Sequence, residues 1–142
     1  MQNILIDAGP LIALFDRDDK YFAPALKFIK NFKGILLTTW PVITEVHHML
    51  HFSPNVQISF LEWVGKYGLR LIDIKQDDLK RIIELSTKYR DIPMDLADAS
   101  LVYLAEKLNI YDIATIDREY FIYRTKDKKF LSNIFAEYYS HA

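Results

Sequence analysis

Short apolar runs alternate along the chain with longer segments in which apolar residues recur at helical spacing. The strand-like runs cover residues 4–6, 35–39, 69–74 and 112–116, with a weaker candidate near Phe130-Leu131. Strands that alternate with helices predict a parallel sheet covered by helices on both faces. We therefore predict the α/β class, as a three-layer α/β/α sandwich around a mainly parallel sheet of four to five strands.

Residues with strong preferences for helix ends mark the helices between these runs. Pro10 suits the first position of a helix that reaches about residue 15. Asp18-Asp19 is predicted to cap a second helix, which Gly34 ends. Pro41 and Ser53-Pro54 begin the next two helices, which run to residue 51 and to residues 65–68. The last two predicted helices begin at residues 77–78 and 94, and they end near residues 89 and 108.

Four acidic residues occupy apolar surroundings in which a carboxylate is costly. Asp7 ends the first apolar run and Asp117 follows the fourth, whereas Glu45 and Asp98 lie inside apolar helical segments. Burying an ionised carboxylate costs several kcal/mol unless another group pairs with it. Acids at the ends of several core elements therefore indicate a shared cation. Mg²⁺ and Mn²⁺ fit best, because these hard ions prefer oxygen ligands.

The predicted architecture gives these acids a common location. In an open α/β sheet, sites form at the carboxyl ends of the strands, where Asp7 and Asp117 lie. Glu45 belongs to the helix that follows the second strand. Asp95 and Asp98 are three residues apart near the start of a helix, so both side chains can point the same way. The alternative for this last pair is simple stabilisation of a helix N-terminus by negative charge.

Composition limits the classes of protein. The 142 residues are 51% apolar and 26% charged, which predicts one ordinary globular domain over residues 1–142. The absence of cysteine excludes disulfides and thiolate metal sites. The start of the chain lacks the features of a signal peptide, and no apolar run could span a membrane, so we expect a cytoplasmic protein. The formal net charge of −1 provides no overall basic field for nucleic acid.

The ordered acidic segments resemble the PIN domain family. Residues 4–15 resemble its opening, Thr44-Glu45-Val46 its second acidic position, residues 95–102 its third block and residues 114–121 its fourth. The resemblance extends over essentially the whole chain. Its length and single domain are most similar to the VapC-type toxin ribonucleases of toxin–antitoxin pairs.

This resemblance implies a PIN-like fold and an endoribonuclease that depends on Mg²⁺ or Mn²⁺. The matching positions imply a catalytic, metal-binding set and an auxiliary metal-binding acid. The catalytic set is Asp7, Glu45, Asp98 and Asp117, and the auxiliary acid is Asp95. Thr115 matches a supporting hydroxyl position, which would orient Asp117 or a water. The implied partners are an RNA substrate and an antitoxin protein, and we expect a homodimer.

Histidines and aromatic residues form further clusters. His47 and His51 have the spacing of zinc ligands, but no third ligand beyond Glu45 is evident, so partial exposure near a groove is the favoured interpretation. Some late aromatic side chains could stack on unpaired RNA bases, although packing in a core is the commoner role. These are Tyr120, Phe121, Tyr123, Tyr138 and Tyr139. The aromatic residues of the early helices are expected to contribute to a dimer face or an antitoxin groove.

Three alternatives remain open at this point. A catalytically silent module of the same fold would bind RNA or protein without cutting, and the intact acidic set argues against it. A phosphatase of the haloacid dehalogenase type requires a second Asp two residues after the first, where this chain has Gly9. A flap-type nuclease usually has a longer chain and more acids.

Overall fold

The computed structural model describes residues 2–139 and has a five-stranded, fully parallel sheet. The strands are β1 (Gln2–Ile6), β2 (Gly34–Thr38), β3 (Arg70–Leu71), β4 (Asp112–Ala114) and β5 (Ser132–Asn133). Their order across the sheet is β3-β2-β1-β4-β5, so β1 is central and pairs with both β2 and β4. The predicted α/β class and mainly parallel sheet are confirmed. Met1 and residues 140–142 of the predicted domain lie outside the described residues.

Helices connect the strands and cover the sheet. The α-helices are α1 (Ala8–Phe15), α2 (Phe22–Asn31), α3 (Trp40–Met49), α4 (Pro54–Gly65), α5 (Leu79–Lys88) and α6 (Leu96–Leu108). Short 3₁₀ segments occur at Gln76–Asp78, Arg118–Phe121 and Ile134–Tyr138. None of the helices in the described part of the chain is long and apolar enough to cross a membrane.

The core lies on both faces of β1 and around α6. Three consecutive β1 residues, Ile4, Leu5 and Ile6, are almost completely buried, as expected for a central parallel strand covered on both faces. The first half of α6 is also buried on every side, from Ala97 to Val102. A polar side chain in that half therefore needs a partner within the protein. Asp98 is such a residue.

Several predicted boundaries were wrong, for identifiable reasons. The predicted third strand shrinks to Arg70–Leu71, because only the end of β2 is available to pair with it. The fourth ends at Ala114, where Thr115 begins to bond to side chains instead. The weak strand near residues 130–131 lies at Ser132–Asn133. The aspartates before α2 form turns, in which Asp19 Oδ1 accepts the backbone N–H of Tyr21, and the helix itself begins at Phe22.

Candidate metal centre

Asp7 is buried at the point where β1 becomes α1. The residue occupies the N-cap position of α1, its side chain makes no capping hydrogen bond, and it is 5% exposed. Its backbone N–H donates to Ala114 O at 2.9 Å, which fixes it beside the end of β4. The hydroxyl of Thr115 donates to Asp7 Oδ2, also at 2.9 Å, and accepts the N–H of Asp117. Thr115 was predicted to orient the Asp117 carboxylate or a metal-bound water, and in the structure its hydroxyl contacts the carboxylate of Asp7.

Asp98 enters the same region from the first turn of α6. Asp95 is the N-cap of this helix and accepts the N–H of Asp98 at 2.8 Å, and Asp98 accepts the N–H of Asp95 at 3.4 Å. This reciprocal capping agrees with the helix-end interpretation considered for the pair. It does not account for the burial of Asp98, which is 6% exposed. Both oxygens of Asp98 also accept phenolic hydroxyls, from Tyr120 and Tyr123.

Asp117 completes the group from the loop after β4. It caps the 3₁₀ segment Arg118–Phe121, with Oδ1 accepting the N–H of Glu119 at 3.0 Å. The start of α1 packs closely against this loop, because a Cβ on Gly9 would lie only 3.1 Å from the side chain of Ile116. A larger residue at position 9 would therefore push apart the segments that carry Asp7 and Asp117.

Three of the five predicted metal acids converge. One carboxylate oxygen each from Asp7, Asp98 and Asp117 can be chosen so that all three lie within 4.8 Å of one another. These residues line a cleft of about 290 Å³ together with Glu45 and Asp95. Glu45 and Asp95 are exposed and lie outside the three-residue group, so they form its rim. The apolar neighbours of Glu45 in the sequence left few directions for its side chain that avoid the core. In the structure the side chain is exposed and lines the cleft.

The electrostatics of the cleft disfavour several negative charges together. Burial, aided by repulsion from Glu45 and Asp117, raises the pKa of Asp7 from 3.8 to about 7. Burial and the neighbouring acids, Asp7 first, also raise the pKa of Asp98 to about 7. Burial raises the pKa of Glu45 and of Asp117, with further contributions from repulsion by Asp95. Ionising all of these groups at neutral pH requires a compensating positive charge.

The donor set fits a hard divalent cation. Within residues 2–139, the ion pairs join Arg81 to Glu84 and Glu106, and Lys129 to Asp127, so no lysine or arginine neutralises the cleft. The converging donors are all carboxylate oxygens, which Mg²⁺ and Mn²⁺ prefer. At a metal–oxygen distance of about 2.1 Å, two ligands of one ion are at most about 4.2 Å apart. The observed spacing of the three oxygens, within 4.8 Å, is close to this span.

A family comparison agrees with this geometry. The model of the PIN domain matches residues 4–128 of the chain, which include every acid in the cleft. The chain belongs to the PIN domain family.

Individual proteins and solved structures resemble the chain at low sequence identity. Ribonuclease VapC26 of Mycobacterium tuberculosis is 23% identical over 120 residues, which cover 83% of this chain and 89% of that protein. The crystal structure of M. tuberculosis VapC20, described as a sarcin-ricin loop cleaving toxin, superposes with a TM-score of 0.76 at 15% identity, over 82% of this chain and 91% of that chain. The structure of PAE2754 from Pyrobaculum aerophilum has a TM-score of 0.60 at 19% identity, over 97% of this chain and 96% of that chain. The predicted resemblance to VapC-type PIN domains is confirmed.

The histidine cluster lies outside the acidic group of this PIN domain. Among the described residues, only Asp7, Asp98 and Asp117 form a set of three or more metal-ligand side chains. His51 Nδ1 lies 2.9 Å from the backbone oxygen of His48, and the two rings stack at 5.7 Å. The structure therefore gives no support to a zinc site built from these histidines.

An apolar pocket adjoins the acidic cleft. The exposed side chains of Trp40 and Leu96 lie in a pocket of about 630 Å³. Glu45 and Asp95 line both the pocket and the cleft, so the two spaces are neighbours. Trp40 and Glu45 are separated by about 7.5 Å along the axis of α3 at 1.5 Å per residue. The pocket thus offers a flat aromatic surface close to the acids.

Sequence reasoning missed two kinds of supporting residue. Asn133 on β5 accepts the N–H of Thr115 and donates to its carbonyl oxygen, and so holds the backbone beside Asp7. No local pattern reveals this contact, because 18 residues separate the pair. Tyr120 and Tyr123 were considered as stacking or core residues, but their hydroxyls contact Asp98. Their three-residue spacing directly after Asp117 was the available signal.

Proposed function

We propose that this PIN domain is an endoribonuclease dependent on Mg²⁺ or Mn²⁺, and that it acts as the toxin of a type II toxin–antitoxin pair. The convergence of Asp7, Asp98 and Asp117 at the carboxyl ends of β1 and β4 carries the proposal. The names of two relatives add support, since VapC26 is called a ribonuclease and VapC20 a toxin that cleaves the sarcin-ricin loop. The silent binding module remains the alternative.

The chain's own residues divide into three roles in this proposal. Asp7, Glu45, Asp98 and Asp117 form the catalytic set, and Asp95 joins them in holding the ion at the rim of the cleft. Thr115 fixes the Asp7 carboxylate through its hydrogen bond to Oδ2. A bound divalent ion lowers the pKa of a coordinated water and stabilises the developing charge in phosphodiester hydrolysis.

Substrate enters from the exposed rim in this proposal. The described acids of the cleft repel phosphate, so RNA binding at the site depends on the divalent charge. The pocket of Trp40 and Leu96 is suited to an unpaired base next to the bound phosphate, because stacking accepts any base. RNA bases are accessible for such stacking mainly in loops and single strands. We therefore expect cleavage in unpaired RNA.

Other features follow from the likeness to VapC proteins. We propose a single PIN-like domain over residues 1–142, a cytoplasmic location, a homodimer and an antitoxin partner. The exposed apolar side chains of α3 and α4 support a protein partner, because a monomer rarely leaves several such groups together. These side chains are Met49, Ile58 and Leu61, with Phe52 between the helices.

The test is cleavage of a mixed RNA pool that contains structured RNA and tRNA. The purified protein is assayed with Mg²⁺, with Mn²⁺ and with EDTA, beside Asp7→Asn. Asp18→Asn is the matched control, because Asp18 is exposed and lies outside the cleft. We expect discrete, metal-dependent cuts that Asp7→Asn abolishes and Asp18→Asn retains. RNA binding without cutting under every condition would favour the silent module.

A further inference from the structure

Two buried tyrosines face the carboxylate of Asp98. The hydroxyl of Tyr120 donates to Asp98 Oδ1 at 3.2 Å, and that of Tyr123 donates to Oδ2 at 3.3 Å. Tyr120 is 2% exposed and Tyr123 is completely buried, so neither ring is available to stack on RNA. In residues 2–139, no buried side-chain nitrogen or oxygen lacks a hydrogen-bond partner. The hydroxyls of the two tyrosines therefore find their hydrogen-bond acceptor in the Asp98 carboxylate.

The segment that carries the tyrosines is anchored on both sides. It begins at Asp117, which caps the 3₁₀ turn containing Tyr120. The rings of Tyr120 and Tyr123 pack edge to face at 5.2 Å, and Tyr123 packs in the same way on Tyr89 at 5.1 Å. The hydroxyl of Tyr89 accepts the backbone N–H of Arg124 at 2.9 Å. One short segment thus carries Asp117 into the cleft and also holds the two tyrosine hydroxyls that donate to Asp98.

Phenols suit this position for a chemical reason. Each Asp98 oxygen accepts one hydroxyl, so the carboxylate cannot rotate without losing both bonds. Oδ2 also accepts the N–H of Asp95, whereas Oδ1 keeps a free lone pair. A lysine or arginine would also neutralise Asp98 and compete with a cation. A tyrosine donor leaves the negative charge in place. Groups that hydrogen-bond to metal ligands in this way fix their orientation, and removing them typically weakens metal affinity by about 10–100-fold.

We propose that Tyr120 and Tyr123 are positioning residues that hold the Asp98 carboxylate in the orientation needed to bind a divalent cation. This inference rests on the metal site of the proposed function and adds two residues to it. It also assigns a role to the segment after β4. This segment carries Asp117 into the cleft, and its two tyrosines orient the carboxylate of Asp98.

The test measures Mn²⁺ affinity directly, without using RNA. Tyr120→Phe, Tyr123→Phe and the double variant are titrated with Mn²⁺, and the free ion is followed by its electron paramagnetic resonance signal. We expect the double variant to bind about 10–100-fold more weakly than wild type. Tyr89→Phe is the matched control, because it also removes a buried hydroxyl next to Tyr123 but none that bonds to an acid. Its affinity should stay within twofold of wild type.

A double-mutant cycle separates positioning from a structural effect. In an Asp98→Asn background, the Tyr123→Phe change should no longer alter Mn²⁺ affinity, because there is no carboxylate ligand left to orient. Equal weakening in both backgrounds, or an affinity of the Tyr120→Phe/Tyr123→Phe double variant within twofold of wild type, overturns the proposal. Variants that unfold even with saturating Mn²⁺ also overturn it, since the hydroxyls would then be needed for folding. Undetectable Mn²⁺ binding by wild type overturns it as well.

The same samples distinguish this inference from the proposed function. RNA cleavage is assayed in parallel with the titration. Weakened Mn²⁺ binding in the tyrosine variants, combined with no cleavage by wild type, supports the positioning role and contradicts the ribonuclease. Cleavage by wild type with unchanged Mn²⁺ binding in the variants contradicts the positioning role alone.

Discussion

Replacing Asp7 with asparagine tests the electrostatic character of the cleft through protein stability. Burial and neighbouring acids raise the pKa of Asp7 from 3.8 to about 7, so the folded protein binds this proton more tightly than the unfolded chain does. The contribution of the protonated Asp7 to the free energy of unfolding is therefore fully present below about pH 4, and it is lost as the pH rises to about 7. Asparagine does not titrate, so the variant avoids this loss.

The size of the effect follows from the pKa shift. At ~1.4 kcal/mol per pKa unit, the shift from 3.8 to about 7 lowers the free energy of unfolding by about 4 kcal/mol at alkaline pH. About 3 kcal/mol of this loss falls between pH 5 and pH 8. The stability of Asp7→Asn relative to wild type should increase by that amount over this interval. Relief of repulsion on Asp98 acts in the same direction.

The assay is urea unfolding, followed by tryptophan fluorescence, at pH 5 and pH 8 in EDTA. Comparing the two pH values cancels any pH-independent effect of the asparagine, and Asp18→Asn controls for removal of an exposed charge. Millimolar Mg²⁺ at pH 8 should then stabilise wild type more than Asp7→Asn, because only wild type keeps the full set of ligands. A stability difference between variant and wild type that does not change with pH would refute the reasoning. If Mg²⁺ or Mn²⁺ left the melting temperature of wild type unchanged, the expectation that a divalent ion binds in the cleft would be refuted.

Three further changes probe the surroundings of the acids. In EDTA, the free energy of unfolding of Asp98→Ala, measured by urea titration, should be about 2–4 kcal/mol lower than that of Asp98→Asn, because two buried phenols lose their acceptor. Thr115→Val should weaken Mn²⁺ binding in a direct titration, since the hydroxyl that orients Asp7 is lost while the side-chain shape is kept. Trp40→Ala should raise KM for RNA about 10-fold with little change in kcat, and Tyr67→Ala, which removes another exposed aromatic, should leave both unchanged.

Local sequence patterns located the acids well but not the contacts between them. Asp7 and Asp117 follow apolar strands, and a parallel sheet brings the ends of such strands to one edge, so their proximity could be predicted. The hydrogen bond from Thr115 to Asp7 joins residues 108 positions apart, and only the assembled sheet reveals it. The exposure of Glu45 was also hidden, because apolar neighbours in a helix do not show which side faces a cleft.

The strand order explains why three acids converge and two remain at the rim. From β1 the chain moves outward through β2 and β3, and then returns to the other side of β1 to form β4 and β5. The order therefore reverses between β1 and β4, and a crevice opens at the carboxyl ends of these two strands. Asp7 and Asp117 follow those strands, and the N-terminus of α6 brings Asp98 between them.

Glu45 lies on α3, which follows β2 on one side of the crevice, and Asp95 lies at the cap of α6. Both are therefore held at the opening of the crevice, where side chains stay exposed. Exposed carboxylates reorient at little cost, whereas Asp7 and Asp98 are fixed by buried hydrogen bonds. In the proposed function, Asp7 and Asp98 are the inner ligands held by hydrogen bonds, and Glu45 and Asp95 are the exposed outer pair that an approaching phosphate would pass. Substitution of Glu45 should accordingly affect RNA cleavage more than the stability of the metal-free protein, which is the reverse of the balance expected for Asp98→Ala.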